Sequence, residues 1–171
     1  VITADKGMAG AYNHNVLKMT EEHLARFDNT KLFVIGELGR QYFENRGIPI
    51  DGQFMYTAQN PTHHRARIIT RKLLSSFSDG EIDDLHIVFT AMKNSIECET
   101  RFRQLLPLTA SMPNDKDLPA GIVQEQFLMQ PSPENVLDAI VPNYINGFIY
   151  SALVESYCAE QNSRMMAMQN A

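Results

Sequence analysis

The feature that most constrains the fold is the tail of the chain. Ser132-Pro133-Glu134 combines an N-cap side chain, a proline suited to a first helical turn and an acid that complements the helix dipole. From Val136 an apolar pattern at helical spacing runs to the end, through Leu137, Ile140, Val141, Tyr144, Phe148, Ile149, Ala152 and Leu153. Pro142 either kinks this helix or splits off a first short turn. Even counted from Asn143, the helix would extend about 40 Å by its rise per residue, more than the diameter of a small domain. Such a helix is expected to leave its domain and meet a partner. Its last stretch, Ala159–Ala171, carries Met165, Met166 and Met168. Methionine stripes commonly serve ordinary packing, but little surface of so small a domain is left for them, and a helix–helix seam follows.

The 171 residues ahead of and including that tail suit one domain with an appendage. An apolar fraction of 44% and a charged fraction of 20% fit a globular chain, neither disordered nor a disulfide scaffold. No segment approaches about 20 consecutive apolar residues, and no N-terminal signal pattern is present, so direct membrane insertion is not expected. The net charge of -5 argues against nucleic acid, whose phosphates demand a basic footprint. Cys98 and Cys158 stand far apart and without metal spacing, which predicts reduced thiols in a cytosolic setting. The opening Val1-Ile2-Thr3-Ala4 has strand character without an initiator Met, and the end falls inside a helical pattern, so both termini read as cut.

Between these ends, strand and helix signals alternate. After Val1–Ala4, residues 15–27 carry Val16, Leu17, Leu24 and Phe27 on a helical face. Residues 32–36 form a short apolar run ended by Gly36, a buried strand. Residues 37–46 predict a helix closed by Gly47, with Pro49 barring its continuation. A further helix is expected from about Thr62 to Phe77, with Ala66, Ile69, Leu73 and Phe77 on one face and Asp79-Gly80 behind it. Residues 85–92 and 96–105 predict two strands back to back. Pro113–Gly121 reads as a surface loop and Val123–Met129 as one more strand. The alternation predicts an α/β fold: a mainly parallel sheet with helices on both faces and one antiparallel neighbour.

The glycines of Lys6-Gly7-Met8-Ala9-Gly10-Ala11-Tyr12-Asn13 follow the first strand, where a phosphate cradle would lie. The chemistry does not fit. A P-loop needs Lys and Ser or Thr directly after its last glycine, and the dinucleotide fingerprint needs GxGxxG where this chain has GxxG. Glu37 comes too late after Gly7 for a ribose-binding acid. The favoured reading is a structural turn, with Gly7 or Gly10 at positive φ and Asn13 or Asn15 capping the next helix. A degenerate nucleotide site in an enzyme or sensor stays open as the alternative. His63-His64 are adjacent on a helix and diverge by about 100°, so they cannot chelate one metal. With Arg65, Arg67, Arg71 and Lys72 they form a basic face, either simply solvated or a docking patch for an acidic partner. Asp83-Asp84 reads as a turn, and no nucleophile–base set assembles locally.

Two motifs add a resemblance. Ser156-Tyr157-Cys158-Ala159-Glu160-Gln161-Asn162-Ser163-Arg164-Met165-Met166-Ala167-Met168-Gln169-Asn170-Ala171 resembles the SEQxxRMxAMxNA segment of the gamma subunit of F-type ATP synthases. Ile2-Thr3-Ala4-Asp5-Lys6-Gly7-Met8-Ala9-Gly10-Ala11-Tyr12-Asn13 resembles that family's IT(S/A)D(R/K)GLCGxxN motif, with Ala9 where Cys is common. The resemblance implies a Rossmann-like foot over residues 1–131 and, over 132–171, the start of a long C-terminal shaft helix. It implies a non-catalytic rotor without cofactors, which couples proton or sodium flow through a membrane c-subunit ring to ATP synthesis in the catalytic head. The implied partners are the epsilon subunit, the c ring and, through segments mostly missing here, the alpha and beta subunits. It places Asn143, Tyr144, Asn146 and Phe148 at the c-ring or epsilon interface, and Arg164, Met165 and Met168 in the coiled-coil seam. The family's N-terminal helix and the far part of its C-terminal helix are expected to be missing, leaving a foot unable to transmit torque. No cysteine-bearing insertion of the chloroplast type is present, which favours a bacterial origin and the cytoplasmic face of the plasma membrane.

Overall fold

The computed structural model describes residues 1–54, 58–94, 97–108, 130 and 132–170. Element order is α1 (Tyr12–Leu24), β1 (Phe33–Ile35), α2 (Glu37–Asn45), β2 (Gly52–Phe54), α3 (His63–Ser78), β3 (Leu85–Met92), β4 (Cys98–Leu106) and α4 (Pro133–Gln169). The Pro113–Gly121 loop and the Val123–Met129 strand expected from sequence lie outside the described residues.

β1 pairs in parallel with β2, and β3 pairs antiparallel with β4. Residues 1–4 join the two pairs. They form a single parallel bridge, Ile2 to Ile35, rather than a regular strand. The Ile35 N–H donates to the Val1 carbonyl at 2.9 Å, the Thr3 N–H to the Ile35 carbonyl at 2.8 Å, and the Ile2 N–H to the Val88 carbonyl at 2.9 Å. The result is a mainly parallel centre with an antiparallel hairpin at one side, flanked by helices on both faces.

β3 supplies the reason for two covered faces: Leu85 and Val88 to Ala91 are buried, so both sides of the strand need a helix. Leu85, Ile87, Phe89 and Ala91 meet Ile69 and Leu73 of α3 and Ile145, Ile149, Ala152 and Leu153 of α4. On the opposite face Leu17 of α1, Leu32, Val34 and Phe43 of α2 form a second core. β4 carries the charged residues Glu99, Arg101 and Arg103 at alternate positions.

β2 had no sequence signal, and its packing explains why. A Cβ on Gly52 would stand 2.6 Å from the Phe33 ring, so the strand yields its side chain to a neighbour's aromatic. Helix ends follow their local chemistry. The Thr62 hydroxyl accepts the Arg65 N–H, the Ser132 hydroxyl accepts the Asn135 N–H, and Gly47 follows α2 at φ +70°. α4 is neither split nor ended by Pro142: it is continuous over 37 residues, about 55 Å by its rise.

Candidate functional site: the long helix and the turn that holds it

Helix α4 buries Ile145, Ile149, Ala152, Leu153, Ser156, Ala159 and Glu160, a stripe at helical spacing. Four of them, Ile145, Ile149, Ala152 and Leu153, pack in one core with residues of β3 and α3. A polar tie joins the stripe to the sheet: the Ser156 hydroxyl accepts the buried Thr90 N–H at 3.3 Å and lies 3.5 Å from the Thr90 carbonyl. β3 pairs with β4 through Thr90 and Thr100, while the Thr90 amide is turned to the helix. Beyond Glu160 the burial stops, and Met165 and Met168 are half exposed or more.

At the end of the stripe the glycine turn meets the helix. Ala4, Ala9 and Tyr12 pack with Ala159. The Tyr12 phenol is buried there, which pushes its pKa up, and the Glu160 carboxylate adds to that direction. Glu160 is itself buried and pairs with Arg164 at 2.6 Å, one helical turn on. The same guanidinium donates to the carbonyls of Lys6 and Gly7 at 3.3 and 3.2 Å. Arg164 therefore ties α4 to residues 6–7. Its side chain is directed into this chain, while those of Met165 and Met168, the other residues read as a seam from the resemblance, are half exposed or more.

Within the turn, Gly10 adopts φ +53°, and so does the exposed Met8 at +61°, whereas Gly7 does not. An added Cβ on Gly10 would lie 3.9 Å from the Ser163 carbonyl and 4.0 Å from the Ala167 Cβ, so the turn sits directly against α4. The expected asparagine cap is corrected. Ala11 occupies the N-cap of α1 with no side-chain bond. Asn13 lies inside the first turn, and its side-chain oxygen accepts the Ala4 N–H at 2.9 Å. It fastens the strand end to the helix instead of closing the helix end.

The adjoining helix N-terminus is also filled from within the chain. Asp5 accepts the Glu37 N–H at 3.0 Å, so a carboxylate already occupies the start of α2. Gly36, at φ +99°, and Gly39 permit the close approach of Thr3, whose hydroxyl donates to the Ile35 carbonyl at 2.8 Å and accepts the Gly39 N–H at 3.1 Å. Arg40 and Gln41 hydrogen-bond Glu37 and hold its carboxyl at about 2. This carboxylate-lined corner opposes a phosphate, and the geometry gives the degenerate nucleotide reading no support. Among the described residues no group of three or more His, Cys, Asp and Glu is placed to hold a metal ion.

The interface residues read from the resemblance separate into two environments. Asn143 and Tyr144 are exposed, and the Asn143 amide donates to the Ala139 carbonyl at 3.2 Å. Phe148 turns inward and meets Phe89 edge-on at 5.9 Å, and Asn146 is half-buried. Upstream, Leu137 and Ile140 are also exposed and share the Tyr144 side of the helix, an apolar strip ahead of the anchored part. Sequence reasoning gave no role to Thr3 and Asp5, which fasten the start of α2, to Ser156, which ties α4 to β3, or to Glu160, which pairs with Arg164. A charge or hydroxyl in the middle of an otherwise apolar helical face was the available signal for Ser156 and Glu160.

Comparison with known proteins gives a consistent picture. A family model described as ATP synthase matches residues 1–171. The ATP synthase gamma chain of Caldanaerobacter subterraneus subsp. tengcongensis is 40% identical over 180 residues, covering 100% of this chain and 60% of that protein. The gamma chain of Ruminiclostridium cellulolyticum is 40% identical, covering 100% and 59%. The sodium-ion-specific ATP synthase gamma chain of Acetobacterium woodii is 31% identical, covering 100% and 61%. The chain thus spans about three fifths of the length of these curated relatives. In fold it is similar to a chain of the Tetrahymena thermophila mitochondrial ATP synthase central stalk and c ring, with a TM-score of 0.73 and 23% identity over 99% of this chain and 73% of that one. A chain of the Euglena gracilis mitochondrial ATP synthase rotor gives a TM-score of 0.66 at 14% identity, covering 99% and 64%.

Proposed function

The chain belongs to the ATP synthase gamma-chain family, and on that premise we propose that it forms the foot and lower shaft of a rotor coupling ion flow to ATP synthesis. The observation that carries this reading is the division of α4. One part is fixed to the sheet by a buried stripe, the Ser156–Thr90 pair and the Glu160–Arg164 clamp. Beyond Glu160 no described residue of the helix is buried, and Met165 and Met168 are half exposed or more. A shaft that transmits torque needs both: a helix that cannot turn independently of its foot, and a free continuation that engages another helix.

In this role the chain performs no bond chemistry and requires no cofactor of its own. Its glycine turn, which in a nucleotide-binding fold would cradle phosphate, grips the shaft instead. The foot stands peripherally on a membrane c-subunit ring at the cytoplasmic face of a bacterial plasma membrane and carries the epsilon subunit. Asn143 and Tyr144 supply part of the ring-facing contact. Met165 and Met168 face the second helix of the coiled coil, and the alpha and beta subunits are reached through segments outside this chain. No helix among the described residues is long and apolar enough to cross a membrane. The driving ion is a proton or sodium.

Calorimetric titration of this chain with the epsilon subunit of the same organism tests the proposal. Saturable one-to-one binding is expected. Absence of binding by a chain shown to be folded would remove the epsilon contact from this part of the rotor.

A further inference from the structure

Helix α3 carries a charge arrangement that its own stability does not explain. Between His63 and Ser78 it contains no acidic residue, and its first turn and the next hold His63, His64, Arg65 and Arg67. Cations at a helix N-terminus oppose the macrodipole, and the last turn, where they would be favourable, has no basic residue. The chain as a whole bears a net charge of -5, so this concentration is not a reflection of composition.

The exposed edge of the helix, away from the buried Ala66, Ile69 and Leu73, is formed by His64, Arg67, Ile68, Arg71 and Lys72. These positions follow helical spacing and make a ridge about 12 Å long. Lys72 is close enough to Glu81 to add to the lowering of its carboxyl pKa, behind Lys31, whose ammonium lies 3.0 Å from that carboxylate. No described acidic residue forms a salt bridge with Arg67 or Arg71. Between them Ile68 exposes 48% of its surface. A half-exposed isoleucine flanked by guanidinium groups that have no carboxylate partner among the described residues has the composition of an interface centre: an apolar contact, arginine stems that extend it, and planar forks that match carboxylates.

From this placement we infer that the outer edge of α3 docks an acidic polypeptide segment, with carboxylates on Arg67 and Arg71 and an apolar side chain over Ile68. Charge complementarity selects this occupant. The ridge carries three Lys and Arg, Arg67, Arg71 and Lys72, short of the clusters of roughly four to eight that hold proteins to anionic lipid. The net negative charge of the rest of the chain opposes both a bilayer and nucleic acid. The site is on a different helix from the bare end of α4 and stands whether or not α4 acts as a shaft.

The test is a nitrogen-15 NMR titration of this chain with a synthetic helical peptide bearing glutamates at i, i+4 spacing around a central leucine. The same peptide with glutamine for glutamate and vesicles of phosphatidylglycerol serve as comparisons. Saturable shifts centred on Arg67, Ile68 and Arg71 are expected. Affinity should fall at least tenfold with the glutamine peptide and in the R67E/R71E variant, and several-fold in I68K. All three substitutions are at exposed positions, and an unchanged circular-dichroism melting curve confirms folding. No shifts at millimolar peptide, shifts centred elsewhere, equal binding of the glutamine peptide, or ridge shifts with the vesicles alone would each overturn the assignment.

Discussion

Replacing Arg164 with Met tests whether the clamp holds the long helix. The substitution keeps most of the aliphatic volume and removes the guanidinium, leaving the Glu160 carboxylate buried without its partner. Removing one member of a buried ion pair costs roughly 3–5 kcal/mol. Here the Arg164 side chain is 17% exposed against 5% for Glu160, so water reaches the cation side. The carbonyls of Lys6 and Gly7 that lose a donor are at the surface and can be rehydrated. The lower end applies, about 3 kcal/mol. For a chain of this size 1 kcal/mol moves the thermal midpoint by about 2–4 °C, which places the expected loss near 6–12 °C. Urea unfolding followed by circular dichroism should show a lower midpoint with an unchanged slope. The double variant Arg164→Met with Glu160→Leu should recover most of the loss, because an apolar pair of similar volume replaces a desolvated one. A loss below about 0.5 kcal/mol in the single variant, or no recovery in the double, would refute the clamp.

Gly36→Ala should cost several kcal/mol or prevent folding, because φ is +99° and the new Cβ would stand 2.2 Å from the Thr3 carbonyl oxygen. Gly47→Ala, at φ +70° in open space, should cost only about 1 kcal/mol, and urea midpoints of the two distinguish these cases. Met165→Asp should leave the stability within about 0.5 kcal/mol of the parent and the thermal midpoint nearly unchanged, since the residue is half exposed; a drop of many degrees would place it in the core. Glu37, held at about 2 by Arg40 and Gln41, contributes stability that is complete above the ordinary carboxylate range and is lost as pH falls toward 2. Arg40→Ala should move its NMR-monitored titration upward, and no movement would contradict that assignment.

What the sequence conveyed depended on how local each cause was. α3 and β3 matched expectation closely, because a capping Thr62, a 3.6-residue apolar stripe and an eight-residue β-rich run are local signals. α4 was legible from Ser132 onward for the same reason, although Pro142 proved compatible with continuity. β2 was not legible, since its Gly52 is fitted to Phe33 across the sheet. Asn13 looked like a cap because its residue type suits one, but its partner Ala4 is reached only in the folded chain. Phe148, placed at an interface by resemblance, meets Phe89 of a strand some sixty residues away. Glu160 would pass for a solvated charge on a helix; its burial depends on the turn at residues 6–10, brought there by the sheet.

The abrupt end of the buried stripe at Glu160 has a mechanical consequence. From Ile145 to Glu160 the helix is held like a rod in a chuck, over about 22 Å. Bending and twisting under load are suppressed along that length and begin where the grip ends. In a longer shaft, elastic compliance would therefore start within a turn of Arg164, and the clamp residue would mark the fixed end of a cantilever.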